Sequence, residues 1–259
     1  MADLIAGGIR YPVRAILFDK DGTLLDFIYT WGRWSEWILA RFSSGLRERG
    51  LPPLPEEACS WLGALAGADG CIADYDRSGP LAMGTVDDLQ TILTWHGYRL
   101  GLSWAEAKVL ADECRRDADE TLERTRPVMA LPHALDFVRH CREAGLSLAV
   151  VTADETASAV RQLEWLGIRD CFDACIGTDR VERGKPYADM VELACRELGV
   201  SCAEVVVIGD TNGDMRMAKA AGAAVAIGIA EPGSSGAARL ADADTVVFSY
   251  RELAIEEEE

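Results

Sequence analysis

The stretch FDKDGTLLD, residues 18–26, sets two carboxylates, Asp19 and Asp21, at the end of the apolar run Ala15-Ile16-Leu17. In an extended chain alternate side chains share a face, so Asp19 and Asp21 are expected to point one way and Lys20 the other. Gly22 lets the chain turn directly after the pair. Carboxylates arranged like this suit two kinds of chemistry. One can attack an electrophile while the other gives and takes a proton, or they can face a hard divalent cation. Taken alone, Asp21-Gly22 reads equally well as a plain turn and Asp19 as a cap.

Later segments supply matching groups. The run LSLAVVT (146–152) ends in Thr152; AEVVVIGD (203–210) ends in Asp210, and Asp214 follows four residues on. Between them RGKPYADM places Lys185 ahead of a helix that Pro186 is expected to start, since proline suits a first helical turn. Brought together, these groups would form a site for a divalent cation and a phosphate. Hard oxygen donors suit Mg2+, and the Thr152 hydroxyl and Lys185 ammonium match phosphate oxygens. Each has a plainer reading: Thr152 as a helix N-cap in TADE, Lys185 as a surface lysine, Asp214 as a cap of the helix after it.

The elements that must hold these residues are short apolar runs at 13–18, 146–152, 203–210, 223–228 and 245–248, read as strands. Helical patterns at 156–166, 187–198 and 215–221 alternate with them. That alternation predicts an α/β fold, a doubly wound and mainly parallel sheet. Residues 26–127 break the rhythm with aromatic-rich and acidic helical periodicity, a Gly-rich stretch at 63–84 and no convincing strand. They are expected to form an inserted helical domain closed by Pro127, with 1–25 and 128–259 as the core.

The ordered set Asp19-Lys20-Asp21-Gly22-Thr23, Thr152, Lys185 and Gly209-Asp210-(x3)-Asp214 resembles the haloacid dehalogenase superfamily of phosphohydrolases. The resemblance spans about residues 10–250 and rests on four motifs in order, each weak alone. The layout looks like the phosphoglycolate-phosphatase-like branch, whose helical cap lies between the first and second motifs. The 33 residues from Thr152 to Lys185 leave no room for a larger cap there. The resemblance implies a Mg2+-dependent phosphatase acting on a small phosphorylated metabolite. Asp19 would be the nucleophile, forming an aspartyl-phosphate, and Asp21 the general acid and base. Mg2+ would sit on Asp19, the Asp21 carbonyl and Asp210, with Asp214 either a ligand or an orienting group. Thr152, Lys185 and the Ala153 amide would hold phosphoryl oxygens. This branch often has Asn or Gly where Ala153 stands, and an amide contact survives that change.

Asp21 argues against a dehalogenase, which has no alkoxide to protonate, and Lys108 as the only lysine of the insert argues against Schiff-base phosphonate hydrolysis. A sugar-phosphate mutase shares Asp21 and stands as the alternative, with a non-catalytic phosphometabolite-binding protein behind it. Asp26 reads as a hinge or turn residue, and His96, His133 and His140 match no motif.

Within the insert, Trp31, Trp34, Ser35, Ile38, Leu39 and Phe42 fall on one helical face and are expected to pack. Tyr29 and Arg33 lie off that stripe. Arg33, with Tyr29 beside it, is expected to read a second anionic group on the substrate, since a guanidinium pairs bidentately with such groups.

A net charge of -17, from 43 acidic and 26 basic residues, argues against nucleic acid or an anionic membrane as partner. No apolar run reaches the ~18 residues of a membrane span, and no basic-then-apolar leader precedes the first motif. Eight cysteines without a CxxC pair, and three histidines, assemble no zinc spacing. The thiols are therefore expected to be reduced and mostly buried, and the protein cytoplasmic. Only four lysines occur, Lys20, Lys108, Lys185 and Lys219, so a lysine beside acidic motifs stands out. The terminal EEEE reads as a solvated, frayed end.

Overall fold

The computed structural model describes residues 2–231 and 236–257. They divide into two compact units: Phe27–Pro127 form one, and the residues up to Asp26 and from Val128 form the other. The chain opens with β1 (Ala2–Ala6) and β2 (Ile9–Val13), an antiparallel pair that the sequence reading does not anticipate. Gly7 and Gly8, with φ of 58° and 79°, make its two-residue turn, the backbone geometry that favours glycine at both positions. Then comes β3 (Ala15–Phe18), fully buried along its length. The expected 13–18 strand is thus split, Val13 closing β2, Arg14 bending the chain and residues 15–18 forming β3.

The inserted unit begins with a π-helical turn, Ile28–Gly32, that runs into α1 (Arg33–Glu48). Trp31, Trp34, Ser35, Ile38 and Phe42 are buried and Leu39 is half-buried, so the aromatic stripe packs inward. The Trp34 indole N–H donates to Asp119 at 2.8 Å. Contrary to the strandless reading, β4 (Ala64–Ala66) pairs antiparallel with β5 (Ile72–Tyr75). Strands of three and four residues are too short for a period of two to stand out in sequence. After α2 (Pro80–Met83), the helices α3 (Val86–Arg99) and α4 (Trp104–Thr125) are each started by a capping box, Thr85 with Asp88 and Ser103 with Glu106.

From Val128 the core resumes with α5 (Ala134–Glu143), β6 (Ser147–Val151), α6 (Thr156–Trp165) and β7 (Ala174–Ile176). There follow α7 (Asp189–Leu198), β8 (Val205–Gly209), α8 (Asn212–Ala221) and β9 (Val225–Ile229). Last come α9 (Gly236–Arg239), β10 (Thr245–Val247) and β11 (Leu253–Glu257). Six strands form one parallel sheet in the order β10-β9-β8-β3-β6-β7. Within this sheet, the three-residue β7 has no counterpart in the sequence reading. A second, antiparallel sheet, β11-β1-β2, draws Glu256 and Glu257 into register with Asp3 and Ala2. Those two glutamates are therefore not frayed, while Glu258 and Glu259 lie outside the described residues.

The sheet's two faces bury separate cores. Ile16, Phe18, Leu148, Val150 and Ile208 pack with α5 and α6 residues such as Phe137, Val138 and Leu163. Ala15, Leu17, Ala149, Val151 and Val207 pack with Met190, Val191, Met215 and Ala218 of α7 and α8. A strand covered on both faces has no polar side, which is why these runs read as continuous apolar segments. Burying Ile16, Leu17 and Phe18 is worth about 1.5–3 kcal/mol each, so the residue that follows them leaves a firmly held strand.

Candidate active site

The strand order decides what meets what. From β3 the chain steps outward to β6 and β7, then returns to β8 on the other side and steps out to β9 and β10. The reversal lies between β3 and β8, the topological switch point at which open α/β sheets bind ligands. Phe18 pairs with Ile208 on one flank and Val150 on the other, so β3, β8 and β6 end side by side. Asp19 N–H continues the ladder to Ile208 O at 2.8 Å, and Thr152 N–H does so to Ile176 O at 3.0 Å.

Carboxylate oxygens of Asp19, Asp210 and Asp214 lie within 4.8 Å of one another. Lys185 Nζ donates to Asp19 Oδ1 and stands 2.7 Å from Asp214 Oδ1. All three of these side chains are nearly or fully buried. Burial, and after it the neighbouring Asp214, Asp210 and Asp21 charges, push the Asp19 carboxyl well above the usual carboxylate range against the pull of Lys185. Burial also opposes the Lys185 charge, but Asp19 and Asp214 outweigh it and hold the ammonium above its ordinary value. An excess of buried negative charge on hard oxygen donors is what a divalent cation fits.

The turn after Asp19 is built to admit Asp210. Gly22 has φ +81°, and a Cβ there would stand 2.5 Å from the Asp210 carboxyl carbon. Thr23 Oγ1 donates to Asp210 Oδ1 at 3.4 Å, and the buried Tyr250 hydroxyl donates to Thr23 O at 3.0 Å. Asp214 does cap a helix, though not alone. Thr211 is the N-cap of α8 and Asp214 its capping-box partner, with Thr211 N–H and Oγ1 donating to Oδ2 at 3.1 and 2.5 Å. The other oxygen, Oδ1, is left to Lys185. Because Thr211 caps it, α8 starts at Asn212, earlier than the apolar pattern suggested. The helix after Lys185 starts later than expected: Pro186 precedes it by a turn, and α7 begins at Asp189.

Thr152 does not cap α6. Its Oγ1 accepts the Asp154 N–H at 3.1 Å, while the N-cap position is Glu155 with no side-chain bond. Ala153 beside it is half-buried. Asp26 closes the first motif, its N–H donating to Met129 O at 2.8 Å. Arg33 and Tyr29 belong to the inserted unit, where the exposed guanidinium lies 4.2 Å over the Tyr29 ring. His96 stacks on Trp61 at 3.6 Å, and His133 precedes α5.

The largest departure concerns Lys20 and Asp21. The strand ends at Phe18 and the chain bends at Lys20, so strict alternation lapses. The fully buried Lys20 ammonium curls back to 2.9 Å from Asp21 Oδ2 and 2.9 Å from Asp154 Oδ2, and it donates to Gln162 Oε1. The Asp21 carboxylate is thus paired with Lys20, while its charge still acts on Asp19. Asp154 and Gln162 escaped the sequence reading; the scarcity of lysine was the signal that pointed to Lys20.

A family model described as haloacid dehalogenase-like hydrolase matches residues 13–222. The chain is 31% identical over 246 residues to the phosphoglycolate phosphatase of Chromobacterium violaceum, covering 93% of this chain and 95% of that protein. It is 28% identical over 245 residues to hexitol phosphatase A of Escherichia coli, covering 93% and 94%. Among solved structures, that of a predicted phosphoglycolate phosphatase from Haemophilus somnus matches with a TM-score of 0.64 at 20% identity, over 92% of this chain and 95% of that one.

Proposed function

This chain belongs to the haloacid dehalogenase-like hydrolase family as a phosphoric monoester hydrolase, and we propose that it is a Mg2+-dependent phosphatase of small phosphomonoesters working through an aspartyl-phosphate on Asp19. One observation carries the reading: Lys185 bridges Asp19 and Asp214 beside Asp210.

Asp19 and Asp210, with the Asp21 carbonyl, would hold the cation. Asp214 has Oδ1 beside Lys185 and Oδ2 on Thr211, so it would orient Lys185 and stand as a further oxygen donor beside the cation. When bound, the ion neutralises the charge that a phosphate dianion brings to an anionic nucleophile. Lys185, the Thr152 hydroxyl and the Ala153 amide orient the phosphoryl oxygens. Asp19 attacks phosphorus while protonated Asp21 gives its proton to the departing alkoxide oxygen. Asp21, now a carboxylate, takes a proton from the water that hydrolyses the acyl phosphate. Free phosphate leaves and both aspartates are restored. The inserted unit 27–127 is proposed to set substrate choice. Arg33, preorganised on Tyr29, would read a second anionic group.

The test is hydrolysis of p-nitrophenyl phosphate with Mg2+ and with EDTA, followed by a panel of phosphorylated metabolites that includes 2-phosphoglycolate, hexitol phosphates and nucleoside monophosphates. Activity that survives Asp19→Asn, or that ignores EDTA, refutes the proposal. Conversion of a hexose 1-phosphate to its 6-phosphate without phosphate release would replace it with the mutase.

A further inference from the structure

A lysine without exposed surface is an expensive choice for position 20. Desolvating an ammonium costs several kcal/mol, and an apolar side chain of similar volume is often as stable or more so. Here the cost is met by a closed set of partners. The three Nζ protons face Asp21 Oδ2 and Asp154 Oδ2, each at 2.9 Å, and Gln162 Oε1. Two carboxylates and an amide oxygen thus surround the lysine head group within hydrogen-bond reach.

The partners are themselves fixed. Asp154 Oδ1 accepts the Glu155 N–H at 2.7 Å, and the Asp154 N–H is tied to Thr152 Oγ1. Gln162 Nε2 donates to Ser158 Oγ at 3.3 Å on α6. The ammonium is therefore anchored to β6 and α6 through Asp154 and Gln162, whatever Asp21 does. From that anchor it reaches back across one peptide to a single oxygen of Asp21.

We propose that Lys20, held by Asp154 and Gln162, is a positioning residue for the proton-transferring carboxyl of Asp21: by engaging Oδ2 it fixes the orientation of that carboxyl. This rests on the acid–base role proposed above for Asp21. In phosphoryl transfer to Asp19, the Asp21 O–H bond breaks as the leaving oxygen gains the proton and the P–O bond parts. The benefit of that donation grows with the basicity of the leaving group, which gives the test its handle. A Lys20 that only supports the fold would slow good and poor leaving groups alike.

The experiment compares kcat/KM for phenyl phosphate, with its basic leaving group, and p-nitrophenyl phosphate, with a weakly basic one, at saturating Mg2+. Lys20→Met and Asp154→Asn should each lower the phenyl phosphate value by about 10- to 100-fold, the lower part of what general acid–base catalysis supplies. The p-nitrophenyl phosphate value should fall by less than about 3-fold. In an Asp21→Asn background, Lys20→Met should add less than about 2-fold, because its route of action is gone. Asp154→Asn keeps volume and lysine, so it carries the test if Lys20→Met melts below assay temperature. Equal losses on both substrates, no loss on either, or a full extra loss in the Asp21→Asn background overturns the inference. A wild type inactive on both esters overturns the phosphatase reading itself, and this inference with it.

Discussion

Gly22→Ala separates what the first turn does for stability from what it does for the site. Gly22 has φ +81°, where an L side chain costs about 1–2 kcal/mol. Gly199, which ends α7, has φ +67° and open space around it, so Gly199→Ala carries the same conformational cost and nothing else. The two differ in what the new methyl meets. At Gly22 it would stand 2.5 Å from the Asp210 carboxyl carbon. Carbon–carbon contacts settle at about 3.5–4.0 Å, so the carboxylate must retreat by roughly 1 Å. Misplacement on that scale costs about 10²-fold in rate where geometry is critical. Both variants should melt roughly 2–8 °C below wild type, by the usual shift for a domain of this size. Only Gly22→Ala should lose about 10²-fold in kcat/KM for p-nitrophenyl phosphate and need more Mg2+ to saturate. Thermal melting and Mg2+-titrated hydrolysis read both effects. A Gly22→Ala enzyme with the kinetics and Mg2+ dependence of Gly199→Ala would refute the reasoning, because Asp210 would then not depend on the turn.

Thr211→Ala removes the α8 cap, at about 1 kcal/mol, and releases Asp214 Oδ2, so turnover should fall beyond what melting alone predicts while Thr211→Ser restores both. Unchanged kinetics would show that Asp214 needs no second anchor. Burial pushes the thiols of Cys114, Cys141 and Cys195 up to about 12 and that of Cys175 up to about 11. At pH 8 each is a thiolate for roughly a thousandth of the time or less, so iodoacetamide should label exposed Cys71 in the native protein and these four only after denaturation. Peptide mapping that finds them labelled as fast as Cys71 would contradict the packing. Arg33→Ala should raise KM for the preferred dianionic metabolite about 10-fold or more, the worth of a charge-assisted pair, and leave p-nitrophenyl phosphate nearly unaffected. Equal effects on both substrates would remove Arg33 from recognition.

Local chemistry made much of this protein legible in sequence. Runs such as AILF and VVVIG lack a polar side because both sheet faces are covered, and a carboxylate or hydroxyl at the end of such a run lies at the ligand-binding edge wherever the strands are parallel. Asp19, Thr152 and Asp210 could therefore be picked out without coordinates, and the helical periodicity of 31–42 and 104–125 foreshadowed the helices Arg33–Glu48 and Trp104–Thr125. The sequence signal weakened where partners are distant or elements short. β1 and β2 find their third strand at Leu253–Glu257, across the whole chain, and β7 and the Ala64–Ala66 pairing are too brief to show a period. Helix starts moved because a cap, Thr211, fixes where α8 begins more firmly than the apolar pattern does. Alternation put Lys20 on the face away from Asp21, and only the tertiary structure could reverse that. The strand stops one residue before Asp19, the lysine stem is long enough to curl, and its counter-charge is Asp154, 134 residues along the chain. A buried ammonium goes where the fold concentrates negative charge, and that place exists only once β3 and β6 lie side by side.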